Sequence, residues 1–461
     1  HKRDDMARYL SPLLHAGQTF LQKNNTTNVP LYLLATGGMR EGLTSDKQSE
    51  ILQAAHSVMR LHSGAYSVGQ QERHARVIPG REEGLYGWVA LNYGRGAEEQ
   101  SHQSHGLLEI GGASMQISFA VPEPQADEED AERVCLRSGE HRVYSQSWDG
   151  FGADSTRRRM RALLVADAGG ADAVNRLGVL HDPCLPLGEA GTNLDYASKN
   201  TIIGTGNFSA CMDLSTRLLA SGLLTHPSLP RYALIARESS PHFYGVAHFW
   251  FNYAFFAKWG PGYDPHQQYD RQRFLDSATS YCTSTSDEIP WKDGDEDRDS
   301  VYTETRCFSA AWMIAVLHDE RYGFGLETRR GDGGLSFPVT RELEERANWA
   351  LGAAALVARH GELKFCPSDR EAPQFEAAQD FLPSSSSENV LNSGATTLAS
   401  SPFGSRSSCS FSSVFGPTSA LVSLAVVFLL VGFAYHRNRS RRDLRTPRSA
   451  NGFVGDVKSM A

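Results

Sequence analysis

Apolar residues fall along this chain in short runs that end on glycine. Residues 30–35 (PLYLLA) read as a buried strand that stops at Thr36, Gly37 and Gly38, a turn where backbone can approach a ligand closely. Residues 107–110 (LLEI) form a second apolar strand, 111–114 (GGAS) a tight turn and 115–119 (MQISF) a return strand of alternating character, which together predict a β-hairpin with a glycine tip. Residues 201–203 (TII) run into Gly204, Thr205, Gly206 and Asn207 in the same way. The pattern changes at residues 417–435, PTSALVSLAVVFLLVGFAY, an uncharged run just long enough to cross a bilayer as one helix. His436, Arg437, Arg439, Arg441 and Arg442 follow it at once, which marks the cytosolic end and puts residues 1–416 on the luminal or exterior side. Residues 382–413, rich in Ser, Thr, Asn and Gly, bury too little to fold and read as a stalk, so the folded body ends near Cys366.

Length and composition add limits to this picture. At 461 residues the chain exceeds one ordinary core, and with 40% hydrophobic and 10% aromatic residues it predicts two packed lobes with a cleft between them. A net charge of −8, with no large basic block outside the C-terminus, argues against nucleic acid as a partner. Small phosphorylated ligands stay open, because backbone amides and a cation neutralise them locally. The seven cysteines, at 135, 184, 211, 282, 307, 366 and 409, show no zinc-ligand spacing and point to disulfides in an oxidising compartment. Connectivity is open from sequence. Pairing Cys184 with Cys211 and Cys282 with Cys307 would close loops of roughly 25 residues, each contributing about 3 kcal/mol in the chain-entropy description. Asn24, Asn25 and Asn207 stand in glycosylation triplets.

The hairpin tip carries the candidate chemistry. Successive amides in such a turn form a concave anion site, the Ser114 hydroxyl can hold a phosphate oxygen or a water, and Glu109 and Gln116 flank the tip as outer-shell metal ligands. Upstream, Glu82 and Glu83 precede Gly84 and an aromatic-apolar stretch that can carry one of them into a partly buried place. Phosphoanhydride hydrolysis needs an in-line water, a carboxylate to activate it and cations or amides around the transferring phosphoryl.

In order along the chain these segments resemble the apyrase, or nucleoside triphosphate diphosphohydrolase, family. LLATGGMR resembles its ATAGMR segment, EEGLYGWVALNY its EGxYGWxxxNY segment and LEIGGASMQISF its DLGGASTQ segment. Gly204 to Cys211 is similar to a GTGNxxxC element, and Phe243 and Tyr244 open a stretch like FYxFSxFYY. Cys307 to Ala310 matches CFSA and Trp349 to Gly352 matches WxLG. The resemblance implies an α/β fold of two ribonuclease-H-like lobes in the actin/hexokinase-like architecture. Residues 1–79 with a returning 345–366 form the first lobe, 80–344 the second, 367–416 the stalk, 417–435 the transmembrane helix and 436–461 a cytoplasmic tail.

Residue by residue, the resemblance implies Glu83 as the water-activating base and Ser114 beside the attacking water. Gly111, Gly112, Ala113 and Ser114 form the second phosphate-binding loop, Thr36 and Arg40 line the phosphate cleft, and Glu109 and Gln116 hold the water shell of Ca2+ or Mg2+. Both cysteine pairs named above match family disulfides. The implied activity is removal of terminal phosphates from nucleoside tri- or diphosphates outside the cytosol, at the cell surface or in the Golgi lumen. The alternative is a non-catalytic, membrane-anchored nucleotide-binding protein of the same fold. The chain departs from the pattern at Glu109 (family Asp), Met115 (Thr) and Gly37 (Ala), changes expected to tune metal or rate. Ala153 occupies the neighbourhood of a base-packing Arg, so no adenine preference is implied. The first phosphate loop, DxGSxxT, is expected before Tyr9 and is not in this sequence, so this stretch alone is expected to hydrolyse nucleotides poorly.

Overall fold

The computed structural model describes residues 2–93, 104–121, 131–191, 201–222, 242–257, 269–285, 287–289, 305–326 and 348–367. The stalk, the apolar run 417–435 and the basic tail lie outside the described residues. Among the described residues no helix is long and apolar enough to cross a membrane.

The chain opens with helix α1 (Lys2–Lys23), strands β1 (Val29–Pro30) and β2 (Leu33–Ala35), helices α2 (Gly37–Gly42) and α3 (Ser45–Leu61), β3 (Tyr66–Ser67), α4 (Gln71–His74) and β4 (Ala75–Val77). The run 30–35 is therefore two strands rather than one. β1 pairs in parallel with β3 and β2 with β4, and between them the Leu31 carbonyl is taken by the His74 ring at 2.7 Å, so the chain changes partner there. Leu10, Leu14, Leu52, Val58 and Met59 from α1 and α3 close a separate apolar core beneath these strands.

Next come α5 (Gly80–Tyr93), β5 (Gly106–Ile110), β6 (Ser114–Val121), β7 (Ala131–Leu136) and β8 (Gly139–Asp149). After them follow α6 (Ala153–Asp167), α7 (Ala171–Leu177), β9 (Val179–Asp182), β10 (Ala190–Gly191), β11 (Thr201–Gly204), α8 (Phe208–Gly222) and β12 (Phe243–Ala247). Helices α9 (His248–Ala257), α10 (Arg271–Thr283), α11 (Arg306–His318) and α12 (Trp349–His360) complete the described elements of a mixed α/β fold.

The central sheet runs β12-β5-β6-β8-β7, with β12 parallel to β5 and the other neighbours antiparallel. The expected hairpin is present as β5 and β6, in the register Glu109↔Gln116 and Ile110↔Met115. Side chains alternate across a strand, and here the two faces of the sheet differ in kind. Leu108, Ile110, Met115, Ile117, Phe119 and Trp148 point into the large apolar core with α11. Ser114, Gln116 and Ser118, with Ser145, Ser147 and Asp149 at matching register on β8, point the other way, toward α5.

Helix α5 lies directly on that polar face because Gly80, Gly84 and Gly87, at i, i+4 and i+7, give it a smooth side. A Cβ at Gly84 would sit 2.7 Å from the Ser118 and Ser145 hydroxyls, and one at Gly80 would overlap Ser147. On its other side α5 meets α12, where any Cβ on Gly352 would overlap the Tyr86 carbonyl. Held between sheet and helix, α5 is buried from Glu83 to Asn92. Disulfides join Cys184–Cys211 and Cys282–Cys307, the expected pairs, and also Cys135–Cys366, which ties β7 to the chain just after α12.

Candidate active site

Glu83 sits in the first turn of α5, only 6% exposed, in the seam between that helix and the polar face of the sheet. Arg40 reaches it from α2. Its Nη1 and Nη2 donate to Glu83 Oε2 at 3.3 and 3.2 Å, its Nη2 donates to Ser114 Oγ at 3.3 Å, and its Nη1 donates to the Ile78 carbonyl at 2.8 Å. Burial pushes the Glu83 carboxyl up to about 7; the Arg40 charge pulls the other way without cancelling that effect, and the Asp149 charge adds to the rise. A carboxylate poised near neutrality is suited to take and give a proton at working pH.

Ser114 Oγ accepts from Arg40 and also from Gln116 Nε2 at 2.8 Å. With both acceptor positions used, its own proton is what remains for it to donate. Gln116 Nε2 also donates to Ser147 Oγ at 3.2 Å, so its nitrogen is committed and its oxygen is the end presented as a ligand. Glu109 is the cross-strand neighbour of Gln116, and its Oε2 lies 3.6 Å from where a Gly87 Cβ would be, one helical turn from Glu83. Glu109 Oε2, Gln116 Oε1 and their surroundings offer hard oxygen donors, a set that fits the water shell of Ca2+ or Mg2+.

The glycine tip is shaped by α6. Amides of Ala153, Asp154 and Ser155 donate to the Gly111 and Gly112 carbonyls, and those of Gly150 and Gly152 to the Ala113 carbonyl, at 2.8–3.2 Å. The tip carbonyls are thus turned toward the start of α6. Among the described residues the Gly112 and Ala113 amides donate to no backbone carbonyl. A Cβ on Gly152 would overlap the tip backbone, so only glycine lets α6 approach this closely. The Thr36 turn meets the tip from the other side: a Cβ on Gly37 would lie 2.7 Å from Ser114 Oγ. Thr36 itself caps α2 with its carbonyl, accepting from Met39 and Arg40.

The structure thus brings Thr36, Arg40, Glu83, Glu109, Gly111, Gly112, Ala113, Ser114 and Gln116 to one place. Met115 is fully buried on the opposite, apolar face of the sheet, so any influence it has on the tip passes through packing. The structure removes the third glycine segment from the chemistry. The amides of Gly204, Thr205 and Gly206 donate to Glu189, Asp182 and Leu185 carbonyls, and Gly206 has φ +62, so this is a scaffold turn beside two disulfides. Asp149 and Ser147 were not singled out from sequence; the period-two pattern of Ser145, Ser147 and Asp149 was the available signal. Asn92 has a structural task, donating to the His105 carbonyl and accepting the His105 amide, which pins the start of β5.

With this geometry in view, comparison with known proteins is informative. Residues 1–367 match the GDA1/CD39 (nucleoside phosphatase) family, and the chain belongs to that family. It is 26% identical to the nucleoside-triphosphatase ntp-1 of Caenorhabditis elegans, over 79% of this chain and 64% of that protein. It is 28% identical to the Golgi apyrase of Saccharomyces cerevisiae, over 77% of this chain and 60% of that protein. The chain therefore spans about three fifths of the length of these curated relatives. A crystal structure of nucleoside triphosphate hydrolases from Neospora caninum shares the fold, with a TM-score of 0.52 at 17% identity, over 77% of this chain and 78% of that one.

Proposed function

We propose that the full-length protein is a hydrolase that removes terminal phosphates from nucleoside tri- and diphosphates by attack of a water activated by Glu83. The observation that carries this reading is Glu83 itself, a buried carboxylate held near neutrality, sharing Arg40 with the Ser114 hydroxyl beside a turn whose Gly112 and Ala113 amides donate to no backbone carbonyl among the described residues. The Gly112 and Ala113 amides bind oxygens of the terminal phosphate, the Ser114 hydroxyl orients the water and Glu83 takes its proton. Arg40 adds positive charge where the transferring phosphoryl develops negative charge. Glu109 and Gln116 would hold a hydrated Ca2+ or Mg2+ ion, which neutralises phosphate charge when bound.

In this reading the two α/β lobes are ribonuclease-H-like, residues 1–79 with 345–366 and residues 80–344, and the nucleotide lies between them. Residues 417–435 anchor the body on the extracytosolic side, in the Golgi lumen or at the cell surface. Disulfides fit that side of the membrane, and the name of the yeast relative fits the Golgi. The test is phosphate release by the full-length protein and its Glu83→Gln variant, from several nucleoside tri- and diphosphates, with and without Ca2+ or Mg2+. Cation-dependent turnover in the parent and its loss in the variant, with nucleotide binding kept, are expected. Nucleotide binding with no turnover in the parent would favour the non-catalytic reading.

A further inference from the structure

Arg40 serves two carboxylates, and it does not divide itself evenly. Its guanidinium is a planar fork of five donors. Asp149, the last residue of β8 and the cross-strand neighbour of Ser114, takes the Nε edge: Nε lies 3.1 and 3.2 Å from its two oxygens and Nη2 lies 2.8 Å from Oδ1. Nη2 has two protons and three acceptors around it, Asp149 Oδ1, Glu83 Oε2 and Ser114 Oγ, and the contact with Asp149 is the shortest. Glu83 is approached through Oε2 alone among the described residues.

We propose that Asp149 is a positioning residue for the hydrolytic step: by holding one edge of Arg40, it stops the guanidinium from forking onto both oxygens of Glu83 and so leaves Glu83 Oε1 open to the attacking water.

The alternative geometry is visible in the same molecule. Arg76, with no second carboxylate on it among the described residues, forks fully onto Glu82, Nη1 to Oε2 at 2.7 Å and Nη2 to Oε1 at 2.6 Å. That bidentate arrangement is the one an arginine and a carboxylate adopt when nothing competes. A carboxylate held in this way has a charged donor on each oxygen, which lowers its basicity and leaves fewer acceptor positions for a water. Asp149 is placed to compete: its side chain is 42% exposed, against 8% for Glu83, and it makes the shortest of the carboxylate contacts to Arg40.

The proposal rests on Glu83 as the base, and the experiment separates the two. In the full-length protein, Asp149→Asn, Asp149→Glu, Arg40→Ala, the Arg40→Ala/Asp149→Asn double variant and Glu83→Gln are compared for kcat and KM with a fixed nucleotide and divalent cation, thermal melting confirming that each is folded. Asp149→Asn should lower kcat by roughly 10- to 100-fold, the scale of a misplaced catalytic group, with KM little changed, and Asp149→Glu should restore most of it. In the Arg40→Ala background Asp149→Asn should add no further loss, because its effect passes through Arg40. An unchanged kcat in Asp149→Asn, a rise in KM alone, or an equal loss with and without Arg40 would overturn the proposal. Near-normal turnover of Glu83→Gln would instead remove the base on which it rests, whatever Asp149→Asn does.

Discussion

Glu82 and Glu83 are adjacent in the first turn of α5, and each meets an arginine from the first 79 residues, yet the structure makes them different groups. Glu82 is saturated: Arg76 donates to both oxygens and the Tyr86 hydroxyl donates to Oε1 at 2.8 Å. Glu83 is more deeply buried and, among the described residues, is approached only through Oε2, by longer bonds from an arginine that Asp149 holds more closely. Burial without full compensation raises the Glu83 carboxyl's pKa. The difference teaches that identity and helix position do not fix a carboxylate's environment; how many donors reach each of its oxygens does. Glu82 fastens β4 to α5, and in the proposed reading Glu83 is the proton acceptor.

The largest expected effect is on turnover. Glu83→Gln should lower kcat by about 10²–10⁴-fold, the usual contribution of a general base, while Glu82→Gln leaves kcat per folded molecule within a fewfold. Steady-state phosphate release from both variants checks this, and equal losses would erase the distinction between the neighbours.

Proton uptake by Glu83 supplies the next effect. The base must be ionised to act, and with its carboxyl pushed up to about 7, kcat/KM should fall on the acid side of neutrality, by about tenfold for each further pH unit. Stability should move the opposite way. A carboxyl whose folded pKa lies above its unfolded value of 4.5 contributes stability that is fully present below 4.5 and is lost as pH rises through about 7. Glu83→Gln should therefore melt above the parent at pH 8, with the gap closing toward pH 5. A gap that is constant across this range would mean that Glu83 does not titrate there.

Glu82→Gln should give a smaller, purely structural effect, a loss of about 1–3 kcal/mol from breaking one side of a partly buried, hydrogen-bonded ion pair. Thermal or urea melts measure it.

Much of the site was readable in the sequence because its signals are local. Strand-to-glycine transitions and the alternation of residues 115–119 placed the hairpin and its tip, and both 25-residue-scale disulfide loops were drawn correctly. What stayed hidden depends on register or on distant pairing. Asp149 enters the site only because β8 aligns it with Ser114. Cys135 and Cys366 are 231 residues apart, and nothing near either names its partner. Met115 was assigned a tuning effect because the resemblance marks positions and not faces; the pleat turns it away from its neighbours Ser114 and Gln116 into the apolar core. Choosing Glu83 over Glu82 also came from the resemblance, since a Glu-Glu pair in a sequence carries no record of which arginine each will meet.

The smallest effect sharpens the comparison most. Tyr86 lies one turn after Glu82, is 1% exposed and donates its hydroxyl to Glu82 Oε1, while its ring stacks on Phe365 at 5.3 Å between centroids. Tyr86→Phe keeps the ring and the packing against Gly352 and removes two hydrogen bonds, the one donated to Glu82 and a long one, 3.5 Å, accepted from Arg76. Arg76 still satisfies both oxygens of Glu82, so no buried charge is stranded, and the cost should be about 1–2 kcal/mol, the net value of one good and one long hydrogen bond. Glu83 faces a different arginine, so kcat, KM and the acid-side fall of kcat/KM should match the parent. A shift of that fall in Tyr86→Phe would show that the Arg76–Glu82–Tyr86 cluster reaches Glu83 through α5, and the two glutamates would have to be treated as one coupled network.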